Sequence, residues 1–65
     1  MEHLVIRLSP KDWKKYKTLQ EDTESSIYSD NTNPLFNVHY VYGDDSIEWM
    51  DEDTFQKFQN KLFNF

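Results

Sequence analysis

The sequence predicts an α+β fold in the order β-α-β-β-α, with a three-stranded, largely antiparallel sheet and two helices packed on it. In segments 3–8 and 35–42, apolar or aromatic side chains recur at every second position, and this period of two is typical of strands. Segment 10–21 and the residues after Asp53 instead carry apolar side chains three or four positions apart, as amphipathic helices do. A shorter apolar segment, 46–50, supplies the third predicted strand.

The length and composition of the chain limit how such a fold can be stabilised. We expect one domain over residues 1–65, and a domain this short buries only about 60% of the surface that its unfolded chain exposes. Disulfides and cysteine-based metal sites are excluded because the chain has no cysteine. Aromatic residues make up 17% of the chain, so we expect dense aromatic packing or self-association to stabilise it.

The first helix has a strong start signal directly after the first strand. Ser9 can cap the helix, and Pro10 suits the first helical position because its missing N–H needs no partner there. Asp12 can complete a capping box. Trp13 and Tyr16 then lie on the side that faces the sheet, opposite the lysines of the helix. On the preceding strand, the predicted core face consists of Leu4, Ile6 and Leu8.

A long acidic loop is predicted over residues 21–33, between the first helix and the second strand. It has no usable periodicity, and its 13 residues are many for so small a domain, which is typical of functional or mobile loops. Ile27 and Tyr28 interrupt the polar composition, and we expect them to attach the middle of the loop to the core. Pro34 ends the loop.

Segment 35–42 is the strongest predicted strand, and one of its faces holds Phe36, Val38, Tyr40 and Tyr42. The sequence Gly43-Asp44-Asp45 then predicts a hairpin turn, in which the only glycine of the chain can take a positive φ angle. The third strand returns alongside the second, with Ile47 and Trp49 facing inward.

The second helix is predicted to begin at an acidic segment, Asp51-Glu52-Asp53. Carboxylates in a first helical turn are stabilised by the positive end of the helix dipole. Phe55, Phe58 and Leu62 follow at positions i, i+3 and i+7, so they form one stripe that faces the core.

The residues that could carry chemistry predict neither an enzyme nor a cofactor or metal site. A single glycine excludes glycine-rich phosphate loops, and no serine lies in a nucleophile pattern. His3 and His39 fall on predicted strands, and we interpret them as edge or solvent-face residues. Asp44-Asp45 and the acidic segment 51–53 lack the spacing of a calcium loop, so we interpret them as a turn and a helix start.

Membrane insertion and secretion are not expected. The first residues lack the basic segment of a signal peptide, and the apolar run 4–6 is far too short to span a bilayer. We therefore expect a cytoplasmic protein.

The most informative feature is the distribution of charge, which the net value of −5 conceals. Residues 1–20 contain five basic and two acidic side chains, whereas residues 21–56 contain ten acidic side chains and no lysine or arginine. Such a segment repels nucleic acid and attracts basic protein surfaces. The predicted partner-binding residues are these ten acids: Glu21, Asp22, Glu24, Asp30, Asp44, Asp45, Glu48, Asp51, Glu52 and Asp53.

In size, acidity, lack of cysteine and richness in Asn, Lys, Tyr and Phe, the chain resembles small bacteriophage host-takeover proteins. Within that group it resembles the DNA-mimic inhibitors, which include inhibitors of the nucleoid protein HU. The resemblance rests on the charge pattern from Glu21 to Asp53 and on no motif, so it assigns no residue a family role. It implies an inhibitor or adaptor in the host cytoplasm that occupies the DNA-binding surface of a basic host protein and does not bind nucleic acid itself.

Two alternatives remain open at the level of sequence. The first is a small assembly protein that associates through aromatic patches, and the same aromatic surplus predicts a homodimer through Tyr42, Phe63 and Phe65. The second is a weak nucleic-acid binder that uses the basic first helix, in which Trp13 and Tyr16 are interleaved with Lys11, Lys14, Lys15 and Lys17. This helix departs from the usual composition of DNA mimics.

Overall fold

The computed structural model describes residues 2–22 and 24–63, which form four strands and two helices. In chain order the elements are β1 (Glu2–Leu8), α1 (Pro10–Leu19), β2 (Ile27–Asp30), β3 (Phe36–Tyr42), β4 (Ile47–Met50) and α2 (Glu52–Phe63). The α+β class is confirmed. The predicted start of α1 is also confirmed, because the Ser9 hydroxyl oxygen accepts a hydrogen bond from the backbone N–H of Asp12 at 3.4 Å.

The strands form one mixed sheet in the order β2-β3-β1-β4. The central strands β1 and β3 run parallel, whereas β2 is antiparallel to β3 and β4 is antiparallel to β1. The prediction of a three-stranded, largely antiparallel sheet is therefore wrong in its strand count and in its central pair. The additional strand, β2, lies inside the predicted loop 21–33, because Tyr28 pairs with Tyr40 and packs against the aromatic side of α1.

The predicted hairpin after β3 is also wrong, because β3 and β4 lie on opposite sides of β1. The connection crosses the end of β1, where the backbone N–H of Gly43 donates to the carbonyl of Leu8 at 2.7 Å. A Cβ atom on Gly43 would lie 2.5 Å from the Cβ of Arg7. Glycine is therefore needed for close approach, and the positive φ of this connection belongs to Asp45, at 65°.

The most deeply buried part of the core lies between the sheet and α2. Val5 and Val41, from the two central strands, are 0% and 1% exposed, and Met50 at the end of β4 is buried beside them. The stripe predicted for α2 is confirmed, since the helical residues that belong to or pack against this core are Phe55, Phe58 and Leu62.

The opposite face of the sheet is only partly covered by α1. Tyr16 lies 5.3 Å from Tyr28 and 4.8 Å from Tyr40 between ring centroids, and Trp13 lies 5.4 Å from Tyr28. The helix contacts β1 and β3 but does not extend over β4. No residue of α1 is buried, so this layer is thinner than the one formed by α2.

The prediction that Ile47 and Trp49 face inward is wrong, because α1 covers this face of the sheet only in part. Their side chains are 65% and 55% exposed. The register places Ile47 beside Ile6 and Trp49 beside Leu4, on the face that carries α1. Because α1 does not reach β4, this part of the sheet has no helix above it.

Replacing Phe55 by alanine should lower the free energy of unfolding by about 3–5 kcal/mol, because it removes a buried ring from the core. Phe58→Ala should cost less, since Phe58 is only partly buried. Urea denaturation measures both losses, with Leu19→Ala as the control because that side chain is 71% exposed. A greater loss for Phe58 than for Phe55 would mean that α2 presents a different face to the sheet.

Candidate functional site

The ten predicted partner-binding acids lie in two groups near opposite edges of the sheet. The first group, which we call the β4 acids, lies on β4 and at its two ends and consists of Asp44, Asp45, Glu48, Asp51, Glu52 and Asp53. The second group, the β2 acids, lies before β2 and at its end and consists of Glu21, Asp22, Glu24 and Asp30. Since β2 and β4 are the two edge strands, the fold does not join all ten acids into one row.

The β4 acids follow the direction of the strand. Asp45 lies two residues before β4, Glu48 lies within the strand, and Asp51 directly follows it. All six side chains belong to exposed residues. Glu48 forms an ion pair with Arg7, whose guanidinium lies 3.1 Å from the Glu48 carboxylate.

Two of the β4 acids also shape the backbone. Asp44 accepts a hydrogen bond from the Ser46 hydroxyl at 2.6 Å, and this bond holds the pKa of Asp44 below its usual value. Asp51 caps α2, because its carboxylate accepts a hydrogen bond from the backbone N–H of Thr54 at 2.7 Å. Hydrogen bonding to Thr54 likewise lowers the pKa of Asp51. Both carboxylates therefore stay charged well below neutral pH.

Among the β2 acids, Asp22 and Asp30 organise their own loops. Asp22 accepts hydrogen bonds from the backbone N–H of Glu24 at 2.9 Å and from the Ser25 hydroxyl, and the Ser25 bond is the main cause of its lowered pKa. Asp30 accepts from the backbone N–H and the hydroxyl of Thr32, which lower its pKa as well. Among the described residues, the carboxylates of Glu21 and Glu24 do not form hydrogen bonds of this kind.

The structure also contains a buried hydrogen-bond chain that the sequence analysis missed, and we call it the histidine chain. The Nδ1 atom of His3 lies 2.9 Å from Nε2 of His39, and Nε2 of His3 lies 2.6 Å from the Glu52 carboxylate. At the other end, the Ser29 hydroxyl lies 2.7 Å from Nδ1 of His39. His3 and His39 are only 5% and 4% exposed, so their assignment as edge or solvent-face residues is wrong.

Parallel pairing of β1 with β3 explains why the two histidines meet. The register places His39 opposite Val5, and His3 precedes Val5 by two positions on the same face of β1. Both rings therefore point toward α2, where the ring of Phe55 stacks on His3 at 4.2 Å and on His39 at 4.1 Å. The sequence contained one signal for this arrangement, because each histidine alternates with a buried valine of its own strand.

The ionisation of Glu52 fixes the direction of its hydrogen bond to His3. Its hydrogen bond to His3 holds the pKa of Glu52 below the usual value, so the carboxylate is ionised and accepts the proton of His3 Nε2. The contacts between His3 Nδ1 and His39 Nε2 and between His39 Nδ1 and the Ser29 hydroxyl continue the chain, and their directions depend on the tautomers of the two rings. Burial is the main reason that the pKa of His39 is lowered, and the neighbouring His3 adds to it.

This chain ties four elements together: β1, β2, β3 and the first turn of α2. It also places the Ser29 hydroxyl 2.7 Å from a ring nitrogen of His39, a pairing that serine nucleophiles also use. The cavity of about 290 Å³ found among the described residues is lined by other side chains, including Trp13, Tyr42 and Leu62, and by none of the chain. Within residues 2–22 and 24–63, no three metal-ligating side chains are placed to hold a metal ion.

Comparison with protein-family models, with curated proteins and with solved structures finds no match for this chain. In the part of the chain that the structure describes, neither helix has the length and apolar character needed to cross a bilayer.

The unfolding free energy should fall as the pH is lowered from 7 to 5. The pKa of His39 is lower in the folded protein than its usual value near 6.5, so the unfolded state takes up this proton first. The stabilisation is therefore complete above about pH 6.5 and is lost progressively below it.

Urea titrations at several pH values measure this dependence for the wild type and for His39→Gln. The variant should be less stable at pH 7 but should respond less to pH between 7 and 5, where most carboxylates remain ionised. If the unfolding free energy of both proteins depended equally on pH, His39 would not be the cause of the pH dependence.

Proposed function

We propose that this protein is a non-catalytic inhibitor or adaptor that occupies the basic, DNA-binding surface of another protein by presenting a DNA-like row of negative charge. The observation that carries the proposal is the row of β4 acids along an edge strand, with no lysine among them. A basic DNA-binding protein such as the nucleoid protein HU has the complementary surface. Such a partner would place the protein in the cytoplasm.

The number of carboxylates around β4 supports mimicry of one DNA strand. β4 has four residues, so it is about 13 Å long at about 3.3 Å per residue. One strand of duplex DNA carries a phosphate about every 3.4 Å, so about four phosphates occupy that length. The β4 acids supply one carboxylate on the strand, that of Glu48, and five beyond its two ends.

The β4 acids differ in their contacts, and these differences indicate which of them are available to a partner. Glu48 is paired with Arg7, and Glu52 is held by His3. Four aspartates of the row have exposed side chains with neither kind of contact: Asp44, Asp45, Asp51 and Asp53. We assign the partner contact mainly to these four, and we assign the histidine chain a structural role because it anchors α2 and lies outside the cavity of about 290 Å³ found among the described residues.

A second candidate function is assembly through aromatic side chains, including a homodimer. It is favoured by the exposure of Tyr42 at 59% and Phe63 at 58%, to which Trp49 adds a third exposed ring. Phe65, which was predicted to take part, lies outside the described residues. Binding by charge weakens steeply with salt, whereas association through aromatic rings does not, so salt dependence separates the two functions.

The double substitution Asp44→Asn/Asp45→Asn should weaken competition with DNA for a basic protein. Asparagine keeps an acceptor for Ser46 and tolerates the positive φ of Asp45, so the fold should be retained. We expect roughly tenfold weaker competition at low salt, together with a smaller salt dependence. Displacement of a fluorescent duplex from HU measures this.

The matched control is Glu21→Gln/Glu24→Gln, which removes the same charge from the opposite edge of the sheet and should change competition much less. Equal competition by the wild type and both variants would contradict the proposal. Direct binding of the duplex by the protein alone would favour the nucleic-acid-binding alternative through Lys11, Lys14, Lys15 and Lys17.

A further inference from the structure

The outer edge of β4 has unpaired backbone groups that face away from the sheet. The backbone N–H of Arg7 donates to the carbonyl of Ser46 at 2.8 Å, so these two opposing residues form a hydrogen-bonded pair. Such pairs alternate along an antiparallel ladder, so Glu48 and Met50 also bond toward β1. The N–H and C=O groups of Ile47 and Trp49 therefore point outward, and among the described strands only β1 pairs with β4.

The side chains of this edge differ on its two faces. On the α1 face, Ile47 and Trp49 form an exposed apolar strip that continues into Phe36, whose ring lies 5.1 Å from Trp49 in an edge-to-face contact. On the α2 face, the Glu48 carboxylate is half exposed. The strand thus offers outward hydrogen bonds with apolar contacts on one side and negative charge on the other.

The charges on this edge decide which kind of strand it can accept. If β4 paired with β4 of a second copy around a two-fold axis centred on Glu48, the two Glu48 side chains would lie directly opposite each other, and Asp45 would approach Asp51. Like charges that face each other across a ladder are destabilising. That register is therefore unfavourable for a second copy, whereas a basic strand is complementary to the acids on and beside β4.

We propose that β4 accepts an extended, basic segment of a partner protein as an additional strand of the sheet. Ile47 and Trp49 hydrogen-bond to its backbone through their outward N–H and C=O groups. Its lysine or arginine side chains lie beside Glu48 and the exposed aspartates at the two ends of β4, and its alternate, apolar side chains pack on Ile47 and Trp49. The inference rests on the proposed function, because it specifies how the same row of acids holds a basic partner.

Three synthetic peptides test the required pattern directly. The first alternates lysine and valine, the second has the same composition with its lysines and valines in two blocks, and the third alternates glutamate and valine. We expect the first peptide to bind and to protect the amide protons of Ile47 and Trp49 from hydrogen exchange, as followed by NMR. The blocked peptide should bind roughly tenfold more weakly, and the glutamate peptide should not bind.

Proline at position 47 tests the backbone contact separately from the side chain. Ile47→Pro removes an outward N–H without removing a bond to β1, a position that edge strands tolerate. The matched control, Ile47→Ala, keeps the N–H and loses the side chain. We expect the proline variant to bind the alternating lysine–valine peptide roughly tenfold more weakly than the alanine variant does. Circular dichroism verifies that both variants are folded.

Glu48→Lys provides a test that does not depend on tolerance of proline. This variant should lose binding of the lysine–valine peptide and gain binding of the glutamate–valine peptide. Equal binding of the alternating and blocked peptides, with equal affinities for the proline and alanine variants, would overturn strand addition. If Asp44→Asn/Asp45→Asn still weakened competition with DNA, the proposed function would stand without it. Absence of amide protection with every peptide would mean that the acids only keep the edge unpaired, and this too would overturn the proposal.

Discussion

The hydrogen bond between His3 and His39 joins the two central strands at the point where α2 docks on the sheet. Both rings are buried, and a buried imidazole needs a partner for each ring nitrogen that can donate or accept. Each ring meets this need through the other and through Ser29 or Glu52. The parallel register of β1 and β3 is therefore coupled to the position of α2 by polar contacts as well as by the aliphatic core.

This coupling also determines what the edge of the sheet presents. Glu52 and Phe55 hold the first turn of α2 against the two histidines, which fixes Asp51 and Asp53 at the end of β4. At the other end, Gly43 lets the chain cross β1 in close contact with Arg7, so that Asp44 and Asp45 lie at the start of β4. The β4 acids are thus held from both ends by buried or closely packed contacts.

The local features of the fold could be predicted from the sequence, whereas the pairing of its strands could not. Ser9 and Pro10 define the start of α1 by contacts within one turn, and the spacing of Phe55, Phe58 and Leu62 defines the buried face of α2. β2 was hidden because only Ile27 and Tyr28 are apolar in a polar segment, and its pairing depends on the rings of α1. Gly43 and the two aspartates that follow it suit a hairpin turn as well as they suit the observed connection. Only the position of β4 on the far side of β1 excludes the hairpin.

The histidine chain is the part of the site that depends most on tertiary structure, because its members are far apart in sequence and each of them alone is ordinary. Nitrogen-15 NMR of the imidazole rings tests it most directly. We predict that the His39 ring is neutral near neutral pH, and that a through-bond coupling connects Nε2 of His39 to Nδ1 of His3. A His39 ring that titrates near its usual pKa, with no coupling between the two rings, would contradict the buried contact that joins β1, β3 and α2.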